Sequence, residues 1–211
     1  MRILVIGASQ GTGALAVREA VGRGHEVTAF ARSPEKLQFD HPKLTKVKGD
    51  FHQKTAVAAA VRSQDAVIVT ASSATLKGFK QKPDYFSEGT RYVVEAMKAE
   101  GIRRLVILSA LGVGESRTLT SFLVDKLLIS WVLKAAFRDH EIQEKLVQES
   151  GLDWVIARPG RLTSGPAKKR YVKKTVLERV PGSISRADVA DFLVEAAESD
   201  EWSHKAVQLG G

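Results

Sequence analysis

A chain of 211 residues with no cysteine and a formal charge of +8 has room for one domain with a sizeable core, and it excludes disulfides, thiolate metal sites and a thiol nucleophile. The basic excess suits an anionic partner such as nucleic acid, a membrane surface or an anionic cofactor, or it forms a basic solvated surface. The first residues enter an apolar run without a leader-like segment, so a cytoplasmic protein is expected.

Ile3-Leu4-Val5-Ile6 is short, β-branched and without polar alternation, the pattern of a strand buried on both faces of a parallel sheet. From Thr12 to Gly24, apolar residues at Leu15, Val17, Ala20 and Val21 are spaced for one helix face. Between them lies Gly7-Ala8-Ser9-Gln10-Gly11-Thr12-Gly13. Glycines in such a strand-to-helix turn let the backbone approach a pyrophosphate, whose charge the free N–H groups and dipole of the helix stabilise. The turn therefore predicts a dinucleotide site.

Further strands are predicted at Glu26–Ala31, Leu44–Lys48, Ala66–Val69, Arg104–Leu108 and Trp154–Arg158. Helical patterns fall at Thr55–Arg62, Ser87–Ala99 and His140–Glu149, the last two ending near Gly101 and Gly151. The apolar stretch Ser121–Phe137 carries Asp125, Lys126 and Lys134 and is short for a membrane span, so a buried or interface helix is expected there. Alternating strands and helices without repeats predict an α/β fold. The expected form is a Rossmann-type, doubly wound parallel sheet in one domain, residues 1–211, with a small C-terminal extension on the substrate side.

In such a sheet ligands bind beyond the carboxyl ends of the strands. After the second strand, where an acid would favour the ribose of NAD, the chain instead places Arg32 and Lys36. They are suited to a 2′-phosphate, so NADP(H) is expected over NAD(H); the alternative is two solvated loop cations. After the third strand, Asp50 would accept from the adenine amine and Phe51 would pack on the ring, although a turn aspartate is also common for structural reasons. Small residues Ala71 and Ser72 follow the fourth strand. The loops after Leu108 and Arg158, with Ser109, Pro159 and Arg161, are expected to flank the nicotinamide. The basic cluster Lys168–Lys174 alternates like an exposed strand around Tyr171 and Val172 and lacks the aromatic platforms of single-strand binders. Nucleic acid is not the expected partner. His25, His41, His52 and His204 lack ligand spacing, and no metal site is expected.

Taken together, the chain resembles the atypical branch of the short-chain dehydrogenase/reductase superfamily, the NAD(P)H-binding group that includes biliverdin IXβ reductase, also called flavin reductase. The likeness runs through Asp65-Ala-Val-Ile-Val, Ser87-Glu-Gly-Thr-Arg-Tyr, Asp139-His140, Glu149-Ser-Gly-Leu, Arg158-Pro-Gly and Ser185-Arg-Ala-Asp. It implies cofactor contacts at Gly7, Ser9, Gln10, Gly11, Thr12, Gly13, Arg32, Lys36, Asp50, Phe51, Ala71 and Ser72. The order Gln10-Gly11 departs from many atypical members and gives the G-x-x-x-G-x-G spacing of the main branch.

The superfamily's tyrosine and lysine four residues apart are missing: Ala136 and His140 stand at those positions, and Tyr85, Tyr92 and Tyr171 have no lysine four residues on. Reducing an isolated ketone normally requires a positioned acid. A flavin, quinone or linear tetrapyrrole spreads the added charge over a conjugated system and takes its proton from solvent, so it needs mainly orientation. The expectation is an NADPH-dependent reductase of a small conjugated acceptor, acting as a monomer or homodimer away from membranes. In this reading Ser109 would hydrogen-bond the carboxamide or acceptor, and His140 would orient the cofactor or relay a proton. Arg161, where biliverdin reductase has a histidine, would hold an anionic acceptor. The alternatives remain that Ser109 caps a turn and His140 is a plain helix residue, in a non-catalytic NADPH sensor.

Overall fold

The unalternating apolar run near the start of the chain is explained by its place in the sheet. In the computed structural model, which describes residues 1–71, 84–119 and 134–211, β1 (Arg2–Ile6) lies between β2 (Glu26–Ala31) and β4 (Ala66–Val69), parallel to both. Ile3 and Val5 enter one hydrophobic core, while Leu4 and Ile6 enter another on the opposite face. Neither face meets water, so polar alternation would bury unpaired polar groups.

The other elements follow in alternation: α1 (Gly11–Gly22), β3 (Leu44–Lys48), α2 (Lys54–Val61), α3 (Tyr85–Ala99), β5 (Arg104–Leu108), α4 (Lys134–Gln148) and β6 (Asp153–Pro159). Beyond β6 come β7 (Arg161–Thr163), β8 (Val172–Lys174), β9 (Ser183–Ser185), α5 (Arg186–Glu198) and β10 (Lys205–Gly210). Among the described residues the main sheet has the order β3-β2-β1-β4-β5-β6-β10-β8, and a second small sheet pairs β7 with β9. Every neighbouring pair in the main sheet is parallel except β10 with β8. This is a Rossmann-type doubly wound sheet. Its strand order reverses between β1 and β4, which opens a crevice at their carboxyl ends.

Helices α1 and α5 cover one face through Ala16, Val17, Ala20, Val189, Phe192 and Leu193. On the other face, α2, α3 and α4 contribute Val57, Val61, Val93, Met97 and Val147. Two adjustments to the predicted pattern stand out. Helix α1 begins at Gly11 and ends at Gly22, and Ala16 replaces Leu15 on its fully buried face. The basic alternation at Val172–Lys174 is an edge strand, β8, antiparallel to β10 with Lys174 opposite Gln208. Most of the Ser121–Phe137 segment lies outside the described residues; its last four positions open α4. Among the described residues, no helix is long and apolar enough to cross a membrane.

One interhelical contact fixes α3 against α4. Asp84, which precedes α3, offers no side-chain cap; instead the buried carboxylate of Asp139 on α4 accepts from the Phe86 N–H at 2.6 Å, the Ser87 N–H at 3.2 Å and the Ser87 hydroxyl at 2.5 Å. Removing it strands several buried donors at once. Asp139→Ala should lower unfolding stability by about 2–4 kcal/mol in chemical denaturation, and a variant as stable as the parent would show that water replaces the carboxylate.

Candidate functional site

The crevice at the strand reversal is a cleft of about 570 Å³. Its lining includes Gly7, Ser9, Gln10, Gly11 and Thr12 from the first turn, Arg32 and Lys36 from the segment after β2, Phe51 after β3, and Ala71 after β4. The strand-end rule thus brings together side chains from four separate places in the sequence. Thr70, the first of the small residues expected after the fourth strand, lines the same cleft, as do Tyr85, Leu162, Ser164 and Arg186, which the pattern of the sequence does not single out. Arg186 lies within the Ser185-Arg-Ala-Asp stretch, and it is that stretch's position at the start of α5 that turns it toward the cleft.

The turn is built by close backbone approach. Gly7 has φ of +87°, and a Cβ there would stand 2.7 Å from the Ala71 nitrogen. A Cβ on Gly13 would stand 2.3 Å from the Gly7 carbonyl oxygen and 2.5 Å from Thr70 Oγ1. The Thr70 hydroxyl donates to the Ile6 carbonyl at 2.9 Å, tying the end of β4 to the end of β1. The first turn of α1 has no acidic residue, and its N-cap, Gln10, accepts no N–H with its side chain. The positive end of this helix therefore faces the cleft without an internal counter-charge. An uncapped helix start, a cradle that no Cβ fits, and the cations Arg32, Lys36 and Arg186 together suit an extended polyanion such as a dinucleotide.

Other predicted residues lie differently. Gly13 sits behind the cleft as the contact between α1 and the turn. Asp50 Oδ1 accepts from the His52 N–H at 2.9 Å in a local turn, and Asp50 does not line the cleft. Phe51 is buried beside Tyr85, with ring centroids 6.1 Å apart. Ser72 lies outside the described residues. Pro159 ends β6, and its carbonyl accepts from the Leu111 N–H at 2.9 Å. Arg161 opens β7 and is exposed, its N–H donating to the Gly182 carbonyl at 2.9 Å. Neither of these two lines the cleft.

Ser109 and His140 belong to the packing around α4. The buried Ser109 hydroxyl donates to Glu144 Oε1 at 2.5 Å. Glu144 is held in turn by the buried Arg158, which donates from Nε at 3.0 Å and from Nη2 at 2.5 Å. Arg158 also reaches Glu115 at 2.7 Å, on the short 3₁₀ helix Gly114–Leu119 that follows β5. That guanidinium holds the Glu115 carboxyl below its usual range, chiefly through the hydrogen bond. The His140 ring stacks on Phe86, centroids 3.8 Å apart, and its Nδ1–H donates to Gln143 Oε1 at 2.8 Å. Burial pushes the imidazole pKa below its usual 6.5, against the opposing pull of Gln143, Glu144 and Asp139.

Much of the basic cluster is matched locally: Lys169 pairs with Glu19 and Asp191, Lys173 with Glu195, and Lys174 with Glu178. Among the described residues, no group of three histidines or carboxylates is arranged to hold a metal ion.

The profile of a protein family described as NAD(P)H-binding matches residues 7–200. An uncharacterized chloroplastic protein of Arabidopsis thaliana is 29% identical over 218 residues, spanning 99% of this chain and 76% of that protein. Sanguinarine reductase of Eschscholzia californica is 25% identical over 157 residues, spanning 71% of this chain and 55% of its own. Among solved structures, ChuY, an anaerobillin reductase from Escherichia coli O157:H7, is similar at 26% identity and a TM-score of 0.81, covering 100% of this chain and 97% of its own.

The environment of His140 has a consequence for acid stability. With its folded pKa depressed, the unfolded chain takes up a proton at this histidine as pH falls through about 6.5, while the folded ring resists it. The parent should therefore lose more stability between pH 7.5 and 5.5 than His140→Gln, as followed by denaturant unfolding at each pH. Parallel losses in the two proteins would show that the folded ring protonates freely.

Proposed function

The chain belongs to the NAD(P)H-binding family, and from that premise we propose that it is an NADPH-dependent reductase of a small conjugated acceptor such as a flavin, a quinone or a linear tetrapyrrole. The observation that carries this reading is the cleft, where an uncapped helix start and a glycine-bearing turn meet Arg32 and Lys36. ChuY and sanguinarine reductase, both named as reductases, support the reaction class. The chain's lack of the tyrosine–lysine pair supports an acceptor that needs no dedicated acid. The cytoplasmic setting and the single 211-residue domain belong to the same proposal.

In this reading Ser9, Gln10, Gly11 and Thr12 hold the diphosphate through backbone N–H groups and the helix dipole, while Gly7, whose own N–H donates to the Phe30 carbonyl at 2.9 Å, and Gly13 shape the cradle by their lack of a side chain. Arg32 and Lys36 take the 2′-phosphate, Phe51 the adenine side with Asp50 set back from the cleft behind it, and Ala71 and Ser72 the close passage beside β4. Pro159 and Arg161, which lie outside the cleft itself, would border a nicotinamide end that extends beyond it. The reduced nicotinamide, when bound, supplies a hydride. The chain's part is to orient the acceptor beside it and to exclude competing water. Because the Ser109 hydroxyl donates to Glu144, which is itself fixed by Arg158, Ser109 keeps lone pairs with which to accept from a carboxamide N–H₂. His140 has committed Nδ1–H to Gln143, leaving Nε2 for orientation or proton relay.

Oxidation of NADPH by the purified protein, with FMN, a quinone and biliverdin offered separately and NADH alongside, tests the proposal. Acceptor-dependent oxidation is the expected result. Tight NADPH binding without turnover of any acceptor would replace the reductase with a cofactor sensor. Arg32→Ala should weaken NADPH binding by about ten- to hundredfold, the loss of one charge-assisted hydrogen bond, and leave NADH binding nearly unchanged. Equal losses for both would remove the 2′-phosphate from this position. Ser109→Ala should reduce turnover with little change in cofactor affinity, since Glu144 keeps Arg158; full activity would leave Ser109 a packing residue.

A further inference from the structure

The far wall of the cleft is made by a part of the chain distant from the nucleotide-binding turn. Leu162 and Ser164, from and just after β7, line it together with Arg186, the first residue of α5. The Arg186 Nε lies 4.0 Å from the point a Cβ on Gly11 would occupy, so this guanidinium stands over the turn itself. Arg32 and Lys36, by contrast, enter from the segment after β2.

Three features make this arginine a binding group and set it apart from a surface cation. Among the described residues it has no carboxylate partner. The nearest acid on its own helix turn, Asp188, is engaged elsewhere: one oxygen accepts from the Ser185 hydroxyl at 2.7 Å, and the other from the backbone N–H groups of Lys168 and Lys169, each at 2.8 Å. The backbone that carries Arg186 is also fixed. Ser185 caps α5 by accepting the Asp188 N–H at 3.0 Å, and Ser185 is held in register opposite Thr163 in the small sheet. With the backbone already fixed and the guanidinium not neutralised within the protein, binding has only the side chain's own rotamers left to order.

We propose that Arg186 clamps the diphosphate of the dinucleotide against the glycine turn from the α5 side, contributing affinity that does not depend on the 2′-phosphate. The inference rests on the dinucleotide reading above. A planar fork of donors matches paired phosphate oxygens in a way that an ammonium does not, so Arg186→Lys should retain only part of the effect.

The test is a set of binding titrations of NADPH, NADH and adenosine 2′-monophosphate, which has no diphosphate, to the parent, Arg186→Gln, Arg186→Lys and Arg32→Ala proteins. Arg186→Gln should weaken NADPH and NADH by the same factor, about ten- to hundredfold, and leave adenosine 2′-monophosphate unchanged. Arg186→Lys should fall between it and the parent, and it serves alone if the glutamine variant does not fold. The melting temperature without ligand should match the parent, whereas NADPH should raise it less in the variants. Unaltered binding of both dinucleotides by the variants overturns the clamp and leaves the dinucleotide reading intact, and a loss confined to NADPH overturns it in favour of a 2′-phosphate contact. Failure of the parent to bind either dinucleotide overturns the underlying reading.

Discussion

At the carboxyl end of β1 the backbone approaches its neighbours so closely that a Cβ on Gly7 would stand 2.7 Å from the Ala71 nitrogen, and one on Gly13 only 2.3 Å from the Gly7 carbonyl oxygen. This double approach draws the start of α1 onto the sheet where the strand order reverses. With α1 seated there, its unpaired N–H groups point at the crevice. The segments after β2, β3 and β4 then contribute their side chains to the same space. A larger residue at either glycine would push the helix start away, and the remaining features of the cleft would lose their common focus.

How much of this was legible in the sequence depended on the kind of signal. The strands from β2 to β5 fall on the predicted residues: β4 is an apolar run buried on both faces, as an interior parallel strand must be, whereas β3 is a half-exposed edge strand that alternates apolar and polar residues. The turn was legible because glycine is required by steric exclusion. Elements after β6 were harder to see. Strands β7 and β9 are three residues each, too short for a period to emerge, and α5 is buried along most of its surface, with Asp188 and Asp191 facing specific partners and no clean polar stripe. Arg186 was invisible as a site residue for a related reason. Its place over the turn follows from how α5 packs beside α1, and nothing local in Ser185-Arg-Ala-Asp encodes that.

The same distinction separates the two halves of the predicted site. Residues of the glycine turn and of the segment after β2 meet in one cleft, since strand ends in a parallel sheet lie along one edge. Ser109 also follows a strand, yet its hydroxyl is engaged by Glu144, a partner 35 residues later whose position depends on α4. His140 likewise finds Phe86 and Gln143 around it. Topology places a residue at the right edge; the neighbours that decide its protonation and its free lone pairs come from tertiary packing.

The pair formed by Glu144 and Arg158 has a consequence for how this lineage can change. Both side chains are almost wholly buried, and losing either one leaves the other as an uncompensated buried charge, at a cost of about 3–5 kcal/mol. That is a large share of a typical domain's stability. Drift at one position is thus closed unless the other moves with it, whereas an exchange of both for well-packed apolar residues is energetically open. Since Ser109 and Glu115 are bound to the same pair, a descendant that took the apolar route would also free the turn after β5. In relatives of this chain, positions 144 and 158 should therefore vary together, and where they have both become apolar, the half-exposed position 115 should be free to vary.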